Sequence, residues 1–544
     1  MKTGKQNYPV PLPERRLRSR SRPGFTDRRT VERFAADFPA RIFVGRGRDA
    51  REYEATVRNI SSGGLLVEAP GVPADESRIR IQFRIPEGVM PEAFIQGAVS
   101  TTASVRRRAD GQIGLAFEED LGTRYQRTAW SYLRWLAATV LFIATSLILL
   151  IKYENLYYFW FDVPVFLYSL LVGGYLLSRF LFAAFYRHDV APLAELPTLS
   201  VVVPVKNEAE NINRTIRHLM DSNYPRERLQ VILVDDCSSD DSLAAMRQAQ
   251  QTYPELVVLG LAKNAGKRHA LAAGVGLATG EVIVFIDSDS FLEPDALRNL
   301  VSRLADPKVA AVTGHCDVEN IWTNRLTRMQ TVRYFIAFRI MKAAESVFDS
   351  VTCLSGPLAA YRREALHEIL PEWLGQMFMG QPATFGDDRS LTNSLLRRGY
   401  KVVYESRARV TTLVPERHRD FLRQQLRWKR SWFRESLIAC SFMWRREPLM
   451  ALSFYLGFLL PLMGPAIVLR ALIYVPLVQR TSPLMYIAGI TLMSALMSST
   501  YLIFRRSRLW FYGIFFCFYY MFVLVWQTPW AVLTSWRTEW ITRG

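Results

Sequence analysis

Two windows of the sequence, 129–185 and 447–535, are so densely apolar that most of their length has to be kept from water, and no other feature limits the fold as much. The runs from Trp130 to Ile151 and from Val163 to Tyr186 are almost uninterruptedly apolar, and each reaches the ~20 residues a helix needs to cross a bilayer. Leu449–Leu469, Leu484–Phe504 and Leu509–Val525 are long enough to do the same. Arg124, Arg127 and Arg134 flank the first run, Arg179, Arg187 and His188 close the second, and Arg505, Arg506 and Arg508 stand between the last two. Cations are retained on the cytoplasmic side of a membrane. The pattern therefore predicts a multi-pass membrane protein, in contact with the lipid bilayer, with residues 1–128 and 196–430 in the cytoplasm.

A chain of 544 residues also exceeds what one core of ~250–300 residues can hold, so several domains are expected. The net charge of +18 would suit nucleic acid, but the Arg clusters lie in the N-terminal region and beside the apolar runs, where a membrane face explains them and no nucleic-acid partner is predicted. Cys237, Cys316, Cys353, Cys440 and Cys517 are far apart, with no CxxC pair and no His at ligand spacing. That excludes a disulfide framework and a zinc site. The first apolar run begins only near Trp130, so no cleavable signal peptide is expected.

Residues 1–24 carry Arg15, Arg16, Arg18, Arg20 and Arg22 among prolines and serines, a composition for a basic, disordered arm. Over 25–122, short β-type runs (Arg41–Val44, Tyr53–Val57, Gly64–Val67, Ile79–Ile85, Ile113–Phe117) are separated by Gly, Pro and Asp, which predicts a small antiparallel barrel. Arg28-Arg29-Thr30-Val31-Glu32-Arg33 precedes it, and Asn59-Ile60-Ser61-Ser62-Gly63-Gly64 lies inside it. Together these resemble the RxxxR and [D/N]xSxxG motifs of the PilZ family. The resemblance implies cyclic di-GMP as an allosteric activator, held by Arg29, Arg33, Asn59, Ser61 and Gly64, with Arg28 as an accessory. Guanidinium groups clamp phosphates in bidentate fashion, which suits the role.

After two transmembrane helices over 129–187, the segment 196–430 alternates strands with helices: Leu199–Val205, Val231–Val234 and Val282–Ile286 are strand-length apolar runs. Such alternation predicts an α/β domain on a parallel sheet, with ligands beyond the strands' C-terminal ends. Asp235-Asp236 follows one strand and Asp287-Ser288-Asp289 another. Here the sequence resembles glycosyltransferase family two, the inverting GT-A fold. The resemblance implies that Asp235 and Asp236 contact the nucleotide of a nucleotide-sugar donor, and that Asp287 and Asp289 hold Mg²⁺ or Mn²⁺ on its diphosphate. Lys263 and Lys267 are candidates to add positive charge beside the phosphates. The segment Asn324–Ser346, with aromatic and basic residues at helical spacing, predicts a helix against the membrane surface or packed on the domain.

Ser355-Gly356-Pro357-Leu358 and Gly386-Asp387-Asp388-Arg389 are similar to blocks in hyaluronan synthases and in chitin-oligosaccharide synthases of the nodulation type. The match implies Asp388 as the catalytic base, with Asp387 raising its pKa or orienting the loop. Inverting transfer needs one base to take the acceptor's proton. The two acids also suit the start of a helix over Arg389–Arg398, a role compatible with catalysis. Gln424, Arg427 and Trp428 form QxxRW, which in processive members implies diphosphate contact by Arg and stacking of the acceptor sugar on Trp.

Residues 431–544 are expected to hold interfacial helices and three or more spans, and the resemblance implies a channel for the growing polysaccharide acceptor. Trp540-Ile541-Thr542-Arg543 resembles a WGTR gating element, with Ile541 in place of Gly; a cytoplasmic position for it would require a re-entrant stretch near Thr528–Trp536.

The fold class expected is thus an α/β GT-A domain inserted in an α-helical membrane bundle, plus an N-terminal all-β PilZ barrel. The function expected is a cyclic di-GMP-activated inverting hexosyltransferase that polymerises a sugar, from a UDP donor on the nearest resemblance, and extrudes an exopolysaccharide, with periplasmic or outer-membrane export proteins as candidate partners. Three alternatives stay open: an alginate-type synthase using a GDP-sugar, a non-processive transferase to a lipid carrier, and a catalytically dead cyclic di-GMP receptor.

Overall fold

Alternation decides the N-terminal unit. In Arg78–Ile85, buried Ile79, Ile81, Phe83 and Ile85 alternate with exposed Arg78, Arg80, Gln82 and Arg84, a period-two pattern that sets one face of a strand on a core. The computed structural model describes residues 34–45, 51–61, 63–73, 76–85, 97–109, 111–118, 121, 162–187, 195–480 and 482–537. The arm 1–24, Arg28, Arg29 and Arg33, the first expected span Trp130–Ile151 and the Trp540–Arg543 segment lie outside the described residues.

The barrel strands are β1 (Phe34–Val44), β2 (Arg51–Ser61), β3 (Gly64–Glu68), β4 (Arg78–Ile85), β5 (Gly97–Ala109) and β6 (Gln112–Phe117). They close in the order β1-β2-β3-β6-β5-β4 around Ile42, Val57, Ile60, Val67, Ile81 and Leu115. At the β2–β3 turn, Ser61 Oγ donates to the Gly64 carbonyl at 3.1 Å. A Cβ on Gly64 would stand 2.2 Å from the Leu115 carbonyl oxygen of β6. Gly64→Ala should therefore pry β3 from β6 at a cost of ~1–3 kcal/mol, the usual range for overpacking. Faster amide exchange in β3 and β6 of the full chain checks this; unchanged exchange counts against it.

The larger unit is built on an eight-stranded sheet: β7 (Leu199–Val205), β8 (Leu229–Asp235), β9 (Val257–Gly260), β10 (Val282–Phe285), β11 (Ser290–Leu292), β12 (Val309–Val318), β13 (Ala359–Arg362) and β16 (Lys401–Thr412), with a separate short hairpin of β14 (Met377–Phe378) and β15 (Gln381–Pro382). The order is β11-β16-β12-β13-β10-β7-β8-β9. The expected parallel pairs are present in β10–β7–β8–β9 and in β12–β16, while β13 runs antiparallel to both β10 and β12, and β11 antiparallel to β16. β7 is buried at every position, which is why it reads as an unbroken apolar run rather than an alternating one.

Among the described residues, three helices are long and apolar enough to cross a membrane: Val163–Ala184, Pro448–Val478 and Tyr486–Arg505. A fourth candidate is broken, with Trp510–Leu524 and Gln527–Leu533 meeting at 51°. The break falls just before the stretch where the sequence suggested a re-entrant segment. Leu170, Leu181 and Leu477 are exposed on these helices, as lipid contact would require. Asp162 caps the first, accepting from Val165 N at 3.1 Å, and its carboxylate also pairs with Arg470 at 2.8 Å, so one acid ties two helices together.

Candidate active site

The ends of parallel strands are where ligands bind such a sheet, and Asp235, Asp236 and Asp287 stand at the ends of β8 and β10. β8 ends at Asp235, whose Oδ2 accepts from Ser238 N at 3.1 Å while Oδ1 is buried with no hydrogen-bond partner. Asp236 accepts from Ala265 N at 2.7 Å and Gly266 N at 2.9 Å, pinning the loop before the Lys267–Leu277 helix. Gly266 takes φ +85 there. The turn so formed delivers Lys267 to Asp287, 2.5 Å from Nζ to Oδ1. Burial opposes the charge on Lys267, but Asp287, Asp388 and Asp387 outweigh it and hold the ammonium above the ordinary lysine range. Asp289, on the β10–β11 turn, is buried and accepts from Thr412 Oγ1 of β16 at 3.2 Å.

The second pair of acids opens the Asp387–Arg397 helix. Gly386 turns the chain into that helix at φ +85, where its missing Cβ would meet Ser431 Cβ at 2.6 Å and Arg434 Nη2 at 3.0 Å. The two carboxylates are then treated differently. Asp387 is 4% exposed and forms an ion pair with Arg268, itself 3% exposed, at 2.8 Å. Asp388 accepts only a backbone N–H, from Gly356 at 3.1 Å. Burial raises the Asp388 pKa; Lys267 opposes the shift, and Asp287 and Asp387 add to it. Gly356 is tightly placed, since a Cβ on it would stand 2.9 Å from Asp287 Oδ2 and 3.0 Å from Lys267 Nζ. Lys267, Asp287, Gly356, Asp387 and Asp388 therefore line one small cavity, floored by Tyr361 and Leu391.

Arg268, Gly356, Gln376, Arg434 and Glu435 did not figure among the sequence-derived site residues. Arg268 donates to the Trp373 carbonyl at 2.8 Å and to Gln376 at 3.3 Å; Gln376 donates to Glu435 at 3.0 Å; Arg434 pairs with Glu435 at 2.9 Å and donates to the Phe385 carbonyl. This buried network joins the helix beginning at Lys267, the loop before Asp387, and the His418–Cys440 helix. The one legible signal was Lys267-Arg268 directly after a glycine, which reads as solvated charge until both side chains are seen to reach acids.

Gln424, Arg427 and Trp428 lie on the His418–Cys440 helix, which abuts the base loop at Gly386 through Ser431 and Arg434. They are not on the cavity wall. Trp428 is 36% exposed, with the Tyr334 ring centroid 6.4 Å from its own. Asp235, Asp236, Lys263 and Asp289 do not line the cavity either. Among the described residues no group of three or more His, Cys, Asp or Glu side chains is arranged to hold a metal ion. The Asp287 and Asp289 carboxylates nonetheless fit a divalent cation of the Mg²⁺ type, which takes one or two protein carboxylates and completes its shell with water and substrate phosphate. In the barrel, Asn59, Ser61 and Gly64 share the β2–β3 turn region.

The comparisons fit this division. The Glycosyl transferase family 2 model matches residues 200–370 and the PilZ domain model residues 27–135. An N-acetylglucosaminyltransferase of Rhizobium meliloti is 36% identical over 258 residues, 47% of this chain and 60% of the relative, so the match spans about three fifths of that relative's length. A hyaluronan synthase of Streptococcus pyogenes is 33% identical over 298 residues, 54% of this chain and 70% of the relative. A solved mannosyltransferase from Pyrobaculum calidifontis, in complex with GDP-Man and Mn²⁺, aligns with TM-score 0.48 at 23% identity over 68% of this chain and 97% of that one.

Proposed function

The chain belongs to glycosyl transferase family 2, which it shares with hyaluronan synthases, and on that premise we propose that it is an inverting, processive polysaccharide synthase of a bacterial cytoplasmic membrane, activated by cyclic di-GMP at its N-terminal PilZ domain. The observation that carries this reading is the shared cavity: the donor-side Lys267–Asp287 pair and the base-side Asp388 face one another across Gly356.

In the proposed reaction the acceptor hydroxyl attacks the anomeric carbon of the donor sugar, its proton passes to Asp388, and the bond to the diphosphate breaks on the opposite face. Asp388 suits the base because burial disfavours its charged form and outweighs the attraction of Lys267, and among the described residues no cation forms an ion pair with it, so it gains by accepting a proton. Asp387, held by Arg268, acts as a positioning residue that fixes the start of the helix. Asp235, with its unpartnered Oδ1, and Asp236 bind the nucleotide. Lys267 stands where it can counter diphosphate charge. Asp287 and Asp289 would hold Mg²⁺ or Mn²⁺, whose chemistry there is to neutralise the leaving diphosphate.

Of Gln424, Arg427 and Trp428, Trp428 serves the acceptor as a stacking platform and Arg427 contacts the donor's diphosphate. Three continuous apolar helices and one broken one among the described residues support translocation of the product rather than simple anchoring. Arg29, Arg33, Asn59, Ser61 and Gly64, with Arg28, form the cyclic di-GMP site in this reading, and the ligand shifts the population between an inactive and an active arrangement. The donor in this reading is a UDP-sugar, on the resemblance of the Gly386-Asp387-Asp388-Arg389 and QxxRW motifs to hyaluronan synthases.

The test is to supply membranes containing the protein with Mg²⁺, cyclic di-GMP and a panel of UDP- and GDP-sugars. Nucleoside diphosphate release with at least one of them, stimulated by cyclic di-GMP, is expected; silence with all would sink the reading. Trp428→Ala should shorten the polymer with little effect on donor hydrolysis, a stacking loss of roughly 1–3 kcal/mol if sugar stacking resembles base–aromatic stacking. Gel filtration of the product reads this, and full-length polymer from Trp428→Ala would remove the platform role.

A further inference from the structure

Between the Ala343–Ser346 helix and β13 the chain runs past the cavity without regular structure, so its backbone groups need partners from elsewhere. Side chains supply them. Thr352 N donates to Glu345 Oε2 at 2.9 Å, and Thr352 Oγ1 to Glu345 Oε1 at 3.0 Å. Leu354 N donates to Thr392 Oγ1 at 2.9 Å, Ser355 N to Thr313 Oγ1 at 3.2 Å, and Gly356 N to Asp388 Oδ2 at 3.1 Å. The Cys353 carbonyl accepts from Lys342 Nζ. Gly356 lines the cavity and holds the Asp388 carboxylate, so where this loop sits decides where that carboxylate sits.

Two of the anchors come from one helical segment. Arg325–Ile336, a π-helical stretch over Ala337–Lys342 and Ala343–Ser346 follow one another without a gap, and π-turns inside α-helices are frequent at functional sites. Lys342 and Glu345 are three residues apart and so share a face. They take hold of the consecutive residues Cys353 and Thr352. Lys342 is 8% exposed, with Nζ 4.9 Å from the Phe338 ring centroid. Among the described residues the lysines in ion pairs are Lys267 and Lys401, so Lys342 is buried without a carboxylate at ion-pair distance.

Fold stability alone does not call for a charge there. Burying an ammonium costs several kcal/mol. One hydrogen bond to a charged group returns ~1.5–3 kcal/mol, and a cation–π contact up to ~2 kcal/mol. These at best break even, so a methionine, which fills irregular core space readily, would serve folding as well. What a methionine cannot do is hold the Cys353 carbonyl, and with it the path of the loop to Gly356.

We propose that Lys342 and Glu345 are positioning residues for sugar transfer: by fixing the Thr352–Gly356 loop they set the N–H that aims Asp388 at the acceptor hydroxyl. This rests on the synthase reading with Asp388 as base, and deepens it by assigning what holds the base in place.

The test uses the full chain in nanodiscs with Mg²⁺, cyclic di-GMP and a donor the wild type accepts. Turnover, donor KM and equilibrium binding of the nucleoside diphosphate are measured together. Lys342→Met should lower turnover about ten- to a hundredfold, because a misplacement of ~1 Å can cost ~10²-fold, while donor KM and nucleotide binding are kept. Lys342→Arg, which retains a cationic donor, should recover most of the rate. Glu345→Gln, which leaves one acceptor for Thr352, should lose a smaller factor. The decisive arm places Lys342→Met and Glu345→Gln in an Asp388→Asn background. Residues that act as a unit are not additive, so neither should lower the residual rate further; a side chain that only supports the fold would subtract its full factor again. Should Lys342→Met fail to fold, Glu345→Gln carries the same comparison. Wild-type turnover from Lys342→Met and Glu345→Gln, or a full additive loss in the Asp388→Asn background, overturns the positioning role and leaves the synthase reading intact. No nucleotide release from the wild type with any donor, or full turnover from Asp388→Asn, overturns the underlying reading as well, and both are read before the variants are compared.

Discussion

Replacing Asp388 by asparagine is expected to lower turnover by about 10²–10⁴-fold, the range a positioned general base contributes. The substitution is close to isosteric, and the asparagine oxygen can still accept from Gly356 N, so the loop and the Lys267–Asp287 pair should stay where they are. Donor binding should therefore change little, which equilibrium binding of the nucleoside diphosphate would measure. A pH profile adds an independent arm. Because burial raises the Asp388 pKa, and a base works only when deprotonated, the wild-type rate should rise with pH through a step above the ordinary carboxylate range of ~4. That acid limb should vanish in Asp388→Asn. The stability sign runs the other way: a carboxyl whose folded pKa is raised stabilises most at low pH, and this contribution is lost as pH rises through the shifted value.

The second large effect concerns stability. Arg268 and Asp387 are 3% and 4% exposed and pair at 2.8 Å, so removing either partner strands a buried charge, a loss of ~3–5 kcal/mol. Arg268→Met should lower the thermal midpoint of the detergent-solubilised chain sharply, and the double variant Arg268→Met/Asp387→Asn should recover part of it, because the stranded carboxylate is then gone. Activity separates the two acids. Asp387→Asn should lose stability and rate together, whereas Asp388→Asn should lose rate alone. Equal loss of rate from Asp387→Asn with an unchanged midpoint would reverse the roles assigned to them.

The strands of the α/β domain were legible because burial on both faces leaves unbroken apolar runs such as Leu199–Val205. The barrel was legible for the opposite reason, a strict alternation in segments such as Arg78–Ile85. The antiparallel insertion of β13 between β10 and β12 was not. Strand direction is set by where the connecting chain returns, and a four-residue strand carries no mark of it. Within the site, acids at strand ends could be picked out by position, yet their partners could not. Arg268 meets Asp387 across 119 residues, and the need for Gly356 arises only because Asp287 and Lys267 crowd its Cα. The family model likewise stops at residue 370, before Asp387, Asp388 and QxxRW, so the acceptor half of the site rests on short motifs and on the helix contact at Gly386.

The central claim is that both halves act in one processive reaction. It is tested most directly by sizing the radiolabelled product of membranes given the active donors, Mg²⁺ and cyclic di-GMP, for wild type and Asp388→Asn side by side. The account predicts high-mass polymer from the wild type and almost none from the variant. A single sugar on a lipid from the wild type, or equal polymer from both, would contradict it.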